Sequence, residues 1–321
     1  MPVFENLFLT LTRRCDMTCR HCYIEGSPCE TDEISTEHLF FIIDQVAELN
    51  LKNLRIDGGE ALLHPGIFDV IEYAHAKNLS PSISTNGMKI DEDVLKKIAG
   101  KIRKLIFSVD GATAESHNWL RGHSTSFDKV ISSINLATKF SIKIDINMVI
   151  TNQNIREVTD MVTLAEELGV NRLTFFSFSH MGRGKDMLKD AYVDASTQLT
   201  YIKQIEELKR QHNWVYFEPA WVPKGSKYCS DEELMCSSKE NRTMFIDPKG
   251  DVYKCSFFLG SEFCLGNVKE TSFKEIFNQS VTIKPGQKCN HGCPAFLSRQ
   301  GRPHNSGPGP AFEPICFLAV I

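Results

Sequence analysis

The chain has 321 residues, 42% of them hydrophobic, with a formal net charge of −4 at pH 7 and an isoelectric point near 6.2. This length and composition are enough for one large folded domain, or for a large domain and a small one. The slight negative charge gives no reason to expect nucleic acid or an anionic membrane as a partner, because both attract basic surfaces.

The N-terminal segment MPVFENLFLT has neither a basic region nor a long apolar region, so we expect no signal peptide. No run in the chain approaches the ~18 apolar residues that a membrane span needs, and we expect no membrane partner. These features favour a cytoplasmic protein. Residues 7–12 alternate between apolar and polar, which predicts a short first strand.

Three cysteines follow this strand closely. In TRRCDMTCRHCY, residues 12–23, Cys15, Cys19 and Cys22 have the spacing C-x3-C-x2-C. A disulfide with a spare thiol is unfavourable in a reducing compartment, and structural zinc usually takes four protein ligands, of which His21 would have to be the last. Closely spaced cysteines favour an iron–sulfur cluster. Three thiolates would bind three irons of a [4Fe–4S] cluster and leave the fourth open for a substrate or cofactor.

Strands and helices then alternate along the chain. Helical periodicity occurs at residues 37–49, 67–77, 92–100, 127–139 and 155–169, and strand patterns occur at 53–60, 81–87, 104–111, 143–151 and 172–178. Six strand–helix cycles predict an α/β fold, a partial (β/α)6 barrel of the TIM type. Chemistry in such barrels collects at the C-terminal strand ends, where the three cysteines and the segments DGGE, STNG and SVDG all lie.

The pattern changes after residue 179. An amphipathic helix is predicted at 197–211, and RTMFIDPKGDVYKCSF, residues 242–257, predicts a β-hairpin. We therefore expect a barrel domain over 1–212 and a smaller domain over 213–321. The chain has eleven cysteines, and none of them lies between residues 30 and 228, which indicates two separate sites.

The three-cysteine motif after the first strand, with Gly58-Gly59-Glu60 after the second, resembles the radical S-adenosylmethionine (radical SAM) superfamily. The resemblance implies that Cys15, Cys19 and Cys22 hold a [4Fe–4S] cluster whose open iron binds SAM. One electron from the cluster would then cleave SAM to a 5′-deoxyadenosyl radical, which removes hydrogen from a substrate C–H bond.

The same resemblance assigns residues to SAM. Gly58, Gly59 and Glu60 match the stretch that receives the methionine ammonium group, and Arg121 matches an arginine that pairs with a carboxylate. The remaining candidates for the ribose, carboxylate and adenine are Ser84, Ser108, Asn147 and Val149. Asp110, His117 and Tyr23 could reach the barrel mouth as polar or acid–base groups.

The C-terminal cysteines resemble the SPASM/twitch extension of the superfamily. Cys236 and Cys255 form a C-x13-G-x4-C element, and CNHGCPA matches the end of the family's last cysteine run. Two earlier positions of that run hold Ser280 and Ile283, so we expect one auxiliary [4Fe–4S] cluster and no complete second one. Its predicted ligands are Cys229, Cys236, Cys255 and Cys293, with structural zinc on the same four as the alternative.

Four cysteines remain, namely Cys29, Cys264, Cys289 and Cys316. A buried inert thiol is the ordinary interpretation of each. The alternative is that one of them donates a hydrogen atom to a substrate radical, with Cys264 as the candidate.

The resemblance favours a maturase that crosslinks, oxidises or epimerises a ribosomally synthesised peptide. The alternative is a dehydrogenase of a small molecule such as an amino sugar, and a non-catalytic metal-binding protein is a third interpretation. A sulfatase-maturing enzyme is less favoured, because those members carry an aspartate base where this chain has Ser256. Expected partners are a flavodoxin- or ferredoxin-type electron donor and, since few residues precede the first strand, a separate peptide-recognition protein.

Overall fold

The structure is a computed structural model of the chain. It describes residues 4–178, 181–187, 191, 193, 195–218, 221–223, 243–260, 263–280 and 312–314. Within this part of the chain, no helix is both long enough and apolar enough to cross a membrane.

The described residues include twelve strands, numbered in chain order. They are β1 (Asn6–Thr10), β2 (Asn53–Asp57), β3 (Ser82–Thr85), β4 (Lys104–Ser108), β5 (Ile144–Ile150), β6 (Arg172–Ser177), β7 (Val215–Glu218), β8 (Trp221–Pro223), β9 (Thr243–Ile246), β10 (Asp251–Tyr253), β11 (Gly266–Asn267) and β12 (Phe312–Pro314).

The described residues include eight α-helices, of which α1 to α7 follow strands of the barrel and α8 follows β11. They are α1 (Thr36–Glu48), α2 (Ile67–Ala76), α3 (Glu92–Ile98), α4 (Ala114–Arg121), α5 (Ser126–Thr138), α6 (Val158–Glu167), α7 (Ala195–Gln211) and α8 (Phe273–Ser280).

Ten of the strands form one sheet, in the order β11-β10-β9-β1-β2-β3-β4-β5-β6-β7. The strands from β9 through β1 to β7 pair in parallel, and β10 and β11 extend the sheet with antiparallel pairs. Helices follow each of β1 to β6, so the predicted partial (β/α)6 barrel is confirmed. The short strands β8 and β12 pair with each other separately.

Alternation along each strand separates two environments. On β5, Ile144, Ile146 and Met148 belong to the main hydrophobic core beneath the helices, whereas Asp145, Asn147 and Val149 line a cavity on the other face. This period of two is what a strand with one apolar and one polar face produces. Residues from β1 to β7 and from β9 all line this cavity of about 470 Å³, so the sheet curves around it.

The helices cover the outer face by the spacing of their apolar residues. In α1, Leu39, Ile42, Ile43 and Val46 are buried at helical intervals. The N-terminus of α1 is capped by Ser35, whose hydroxyl accepts a hydrogen bond from the His38 N–H group. A buried apolar face of this kind, repeated on successive helices, forms the core outside the barrel.

The predicted hairpin is confirmed as β9 and β10, with Gly250 at φ +93° in the turn between them. The described elements that the sequence pattern did not predict include the helices α4 and α8 and the short strands β7, β8 and β12. The boundary predicted between residues 212 and 213 stays a prediction, and β7, β9, β10 and β11 beyond it continue the sheet that β1 to β6 begin.

Candidate functional site

The loop after β1 places three thiols at one end of the cavity. Cys15 and Cys19 are buried, Cys22 is half-buried, and all three line the cavity. Met17 packs with them in a small apolar cluster. The structure therefore brings together the three cysteines that the sequence assigns to a cluster.

Each of these sulfur atoms has a nitrogen donor beside it. The Asn86 side chain donates to Cys15 at 3.8 Å, Arg121 donates to Cys19 at 3.8 Å, and the Gly26 N–H group donates to Cys22 at 3.3 Å. Donors of this kind stabilise sulfur that carries negative charge.

Burial alone would keep Cys15 and Cys19 protonated. It raises the pKa of the Cys15 thiol to about 12 and also raises the pKa of Cys19. A bound metal reverses this preference, because a coordinating thiol loses its proton. Two buried thiols and one half-buried thiol, each with a nitrogen donor beside it, therefore fit an iron–sulfur cluster.

His21 does not face this group as a free fourth ligand. Its Nε2 atom lies 3.5 Å from an Asp110 carboxylate oxygen. Burial lowers the pKa of His21 to about 4, so the ring is neutral at pH 7. Its Nδ1 atom is buried with no hydrogen-bond partner among the described residues.

The turn after β2 packs directly on the cysteine loop. The Gly59 N–H group donates to the Thr12 carbonyl at 2.7 Å, and the Glu60 N–H group donates to the Arg14 carbonyl at 2.9 Å. A Cβ atom at Gly59 would collide with the carbonyl oxygens of Arg13 and Arg14. Only glycine allows this approach, which explains its place in the motif in physical terms.

The Glu60 carboxylate is turned into the protein. It accepts hydrogen bonds from the Leu62 N–H group, the Asn86 N–H group and the Thr85 hydroxyl, at 3.2, 2.8 and 3.1 Å. Burial raises its pKa to about 7. Gly58 and Gly59 line the cavity, so backbone groups, rather than this carboxylate, face the predicted SAM site. The assignment of the three residues to SAM stays a prediction.

The other predicted SAM contacts lie on neighbouring strands. Ser84 on β3, Ser108 on β4, and Asn147 and Val149 on β5 all line the cavity. Ser108 pairs with Asn147 across the two strands. Their roles stay predictions, but the sheet places all four around the same space as the cysteines.

Arg121 already has a carboxylate partner in the protein. Its guanidinium lies 2.6 Å from Asp110, and both side chains are buried. Burial opposes ionisation of Asp110, but Arg121, together with His21, the Val149 N–H group and His117, outweighs this effect and lowers the pKa of the carboxyl. The Nε atom of Arg121 is buried and has no hydrogen-bond partner among the described residues. This guanidinium can therefore donate to one more acceptor group from a ligand.

The wall of the cavity also carries charges that the sequence did not single out. Arg55 forms an ion pair with Asp57 at 3.0 Å, and Arg172 lies 3.9 Å from Glu218. The Glu218 side chain is only 5% exposed, and its Oε2 atom has no hydrogen-bond partner among the described residues. Alternation on β2, β6 and β7 was the sequence signal that could have placed these residues inside.

Cys255 lies beyond β10, away from the first three cysteines. It is buried and packs in an apolar cluster with Phe8, Phe245 and Tyr253. Because β10 runs antiparallel to β9, residues after Tyr253 extend toward the level of Thr243, which pairs with Asn6 at the start of β1. Its neighbour Ser256 lines the cavity. Its three predicted co-ligands, Cys229, Cys236 and Cys293, lie outside the described residues.

Cys264 is exposed, and its thiol donates to the Gly266 carbonyl at 3.3 Å. It is not among the described residues that line the cavity. The hydrogen-donor role predicted for Cys264 stays a prediction. Cys29 is also exposed, while Cys289 and Cys316 lie outside the described residues.

Two family models match the chain. The model described as the radical SAM superfamily matches residues 9–165, and the model described as the SPASM iron–sulfur cluster-binding domain matches residues 236–296. The first match contains the end of β1, the three-cysteine loop and β2 to β5. The second contains Cys236, Cys255 and Cys293.

Three relatives show what the chain is similar to. Mycofactocin maturase MftC of Mycobacterium tuberculosis is 28% identical over 85% of this chain and 70% of that protein. The antilisterial bacteriocin subtilosin biosynthesis protein AlbA of Bacillus subtilis is 27% identical, over 88% of this chain and 61% of that protein. Fe-coproporphyrin III synthase of Methanosarcina barkeri is 29% identical, over 83% of this chain and 72% of that protein.

The fold also matches a solved structure. The crystal structure of Streptococcus suis SuiB bound to S-adenosylmethionine superposes with a TM-score of 0.71 at 17% identity, covering 92% of this chain and 71% of that one. At this identity the likeness concerns the fold, which agrees with the partial barrel.

Proposed function

The chain belongs to the radical SAM superfamily and carries a SPASM domain, and from this premise we propose that it is a maturase that modifies a ribosomally synthesised peptide. The observation that carries the proposal is one cavity with a three-thiol site at one end and Ser256, the neighbour of Cys255, in its lining. The names of MftC and AlbA, a maturase and a bacteriocin biosynthesis protein, support it.

When bound, the [4Fe–4S] cluster and SAM supply a 5′-deoxyadenosyl radical that can remove hydrogen from an unactivated C–H bond. Cys15, Cys19 and Cys22 would hold the cluster, and the nitrogen donors beside their sulfur atoms would stabilise its negative charge. Asp110 holds Arg121 at this end of the cavity, where the free Nε atom can receive the carboxylate of SAM.

The charged side chains in the wall of the cavity limit which chemical groups of a substrate can bind there. Arg55 pairs with Asp57, and Arg172 pairs with Glu218, whose pKa of about 7 leaves it only partly ionised at neutral pH. The buried Oε2 atom of Glu218 still needs a donor. A peptide group that enters the cavity would therefore present an N–H or O–H group to Glu218.

Glu218 can also take up a proton. Burial raises its pKa to about 7, and the opposing effects of Arg172 and Arg55 are smaller. A carboxyl group that titrates near neutral pH suits proton transfer in a closed site. Ser256, at the position where sulfatase-maturing relatives carry an aspartate, lines the same cavity and lacks such a group. We assign the proton-accepting role of that aspartate to Glu218.

A second candidate is the modification of a small molecule. The 29% identity to Fe-coproporphyrin III synthase favours it, because that name refers to a product that is not a peptide. The cavity of about 470 Å³ would then enclose part of the molecule itself, rather than one side chain of a longer chain.

The further partners follow from the chemistry. A low-potential donor of the flavodoxin or ferredoxin type would reduce the clusters, and a separate recognition protein would present the peptide. A cytoplasmic location agrees with both, because iron–sulfur clusters and free thiols persist under reducing conditions. The auxiliary cluster, with Cys255 as one of four ligands, would accept the electron released when the substrate is oxidised.

The test uses a short peptide encoded beside the gene. The peptide and the enzyme are co-expressed anaerobically in deuterated water, and the intact mass of the peptide is compared with that from a Cys15→Ala, Cys19→Ala, Cys22→Ala variant. Loss of two hydrogens in the wild-type sample alone indicates a crosslink or oxidation, and uptake of deuterium at a backbone carbon indicates epimerisation.

The opposite outcome is equally specific. A peptide of unchanged mass, while the wild-type enzyme still cleaves SAM, contradicts the peptide proposal and favours the small-molecule alternative. Absence of SAM cleavage from protein with a full complement of iron contradicts both.

A further inference from the structure

The segment that follows β6 reaches back to the cysteine loop. Residues Gly182–Met187 form a short 3-10 helix that begins with the sequence Gly-Arg-Gly. The Arg183 N–H group donates to the Cys22 carbonyl at 3.1 Å, although the two residues are far apart in the chain. The proposed function gives this segment no role.

Gly182 makes the approach between the two segments possible. It has φ +51°, a conformation that side chains disfavour. A Cβ atom at this position would collide with the carbonyl oxygens of Cys22 and Tyr23. The contact is therefore a close packing of backbone on backbone at the last cysteine of the motif.

The Arg183 side chain adds two hydrogen bonds to the contact between these segments. Its Nε atom donates to the Cys19 carbonyl at 2.9 Å, and its Nη2 atom donates to the Gly26 carbonyl at 2.8 Å. The planar guanidinium fork thus joins two points of the loop that lie on either side of Cys22. With its backbone N–H group, Arg183 holds the loop at three carbonyls, two of which belong to predicted cluster ligands.

We propose that Arg183 is a positioning residue for the iron–sulfur cluster, which fixes the Cys19–Cys22 part of the loop and raises the reduction potential of the cluster through its positive charge. A fixed cation beside an anionic cluster favours the reduced form, which carries one more negative charge. Arg183 also lines the cavity, so its charge lies on the cluster side of the substrate space. The inference rests on the cluster at the three cysteines and not on the identity of the substrate.

The test compares three variants of the full-length protein, reconstituted anaerobically. Arg183→Gln removes the charge and the fork, Arg183→Lys keeps the charge, and Arg20→Gln is the matched control. Arg20 lies in the same loop, but it is exposed and stacks on Trp119 at 4.9 Å, so solvent screens its charge. The readouts are iron content, the electron paramagnetic resonance signal that changes on addition of SAM, and the potential at which that signal appears.

We expect Arg183→Gln to lower the ratio of reduced to oxidised cluster about tenfold at a fixed potential, a shift of ~59 mV for a one-electron couple. Arg183→Lys should leave the reduction potential of the cluster close to the wild-type value. Its electron paramagnetic resonance signal should be broader, because one ammonium group cannot bridge two carbonyls. Arg20→Gln should match the wild type in both readouts.

Two results would overturn the inference. One is a wild-type potential and signal in Arg183→Gln with full iron content, and the other is an equal shift in Arg183→Gln and Arg20→Gln. If Arg183→Gln fails to assemble the cluster, Arg183→Lys decides. A cluster at near wild-type potential in that variant supports the inference, and a ratio of reduced to oxidised cluster that falls about tenfold despite the retained charge contradicts it.

Discussion

The two predicted cluster sites lie in different surroundings. At the C-terminal ends of the strands, the cysteine loop is fixed by polar contacts from distant segments, among them Arg121, Arg183 and the turn at Gly59. At the other site, Cys255 lies among aromatic side chains, where Phe8 and Phe245 stack with ring centroids 4.4 Å apart.

The difference matches two kinds of iron–sulfur site. Beside the loop cysteines, His21 and Arg121 have buried polar atoms that lack partners among the described residues, as a site that exchanges a polar ligand would. The second site surrounds its cysteine with apolar groups, which suits a cluster that only transfers electrons. Because β9 pairs in parallel with β1, the hairpin that precedes Cys255 belongs to the same sheet as the strands around the loop cysteines.

The largest expected effect comes from removing the three cysteine ligands of the cluster that would bind SAM. Replacing Cys15, Cys19 and Cys22 together by Ala should abolish SAM cleavage completely. Iron should fall from about eight to about four per chain, since each cluster carries four irons. Iron analysis and the yield of 5′-deoxyadenosine measure this. A wild-type value near four would refute the auxiliary cluster, and one near twelve would refute the prediction that the second auxiliary site is lost.

The next variant removes iron from the other predicted site. Cys255→Ala should also reduce iron to about four per chain, but it should leave SAM cleavage measurable while product formation is lost. The reason is that Cys255 belongs to a different predicted cluster from the three loop cysteines. Loss of SAM cleavage in a folded Cys255→Ala protein would show that the two sites do not work separately.

A third comparison concerns buried charge. Asp110→Asn leaves Arg121 without its buried partner and should destabilise the protein by about 3–5 kcal/mol. Asp145→Asn should cost less than half as much, because its partner Lys104 is 24% exposed. Anaerobic urea unfolding of the reconstituted proteins measures both. Equal losses would contradict the view that the first site depends more on buried polar contacts.

The smallest effect is a pH dependence at Glu218. Its pKa is raised to about 7 by burial, so its protonated form is favoured by folding. The stability this group contributes is present below its unfolded pKa of about 4.3 and is lost as the pH rises through about 7. Glu218→Gln should therefore gain roughly 1–3 kcal/mol relative to the wild type between pH 5 and pH 8.

Glu92→Gln is the matched control for this measurement, because Glu92 lies exposed on α3 beside Lys96. Glu60 also titrates near pH 7, but it is present in all the proteins and cancels in the difference. A difference between Glu218→Gln and the wild type that does not change with pH would show that Glu218 is ionised throughout the range.

Much of the barrel could be predicted because its signals are local. Apolar spacing predicts the helices, and short β-rich segments that end in glycine predict the strands. Helix α4 was missed because it is short and polar, although Thr113 at its start and Gly122, with φ +65°, after its end are ordinary cap signals.

The rest depends on contacts between distant residues. Three contacts join segments that share no local sequence pattern. They are the pairing of β9 with β1, the ion pair of Asp110 with Arg121, and the hydrogen bonds from Arg183 to the cysteine loop. The three cysteines were predictable as ligands because their spacing is local. The donors beside their sulfur atoms were not, since Asn86 and Arg121 reach them only once the sheet has formed.

The most direct test of the proposed chemistry follows hydrogen from the substrate to the cofactor. The neighbouring peptide is prepared with deuterium on its carbon atoms and given to the anaerobic, reconstituted enzyme with SAM, and the mass of the 5′-deoxyadenosine is measured. Hydrogen abstraction from the peptide predicts one deuterium in each molecule formed while the peptide is converted. Peptide conversion that yields 5′-deoxyadenosine without deuterium would contradict hydrogen abstraction from a peptide C–H bond in this cavity.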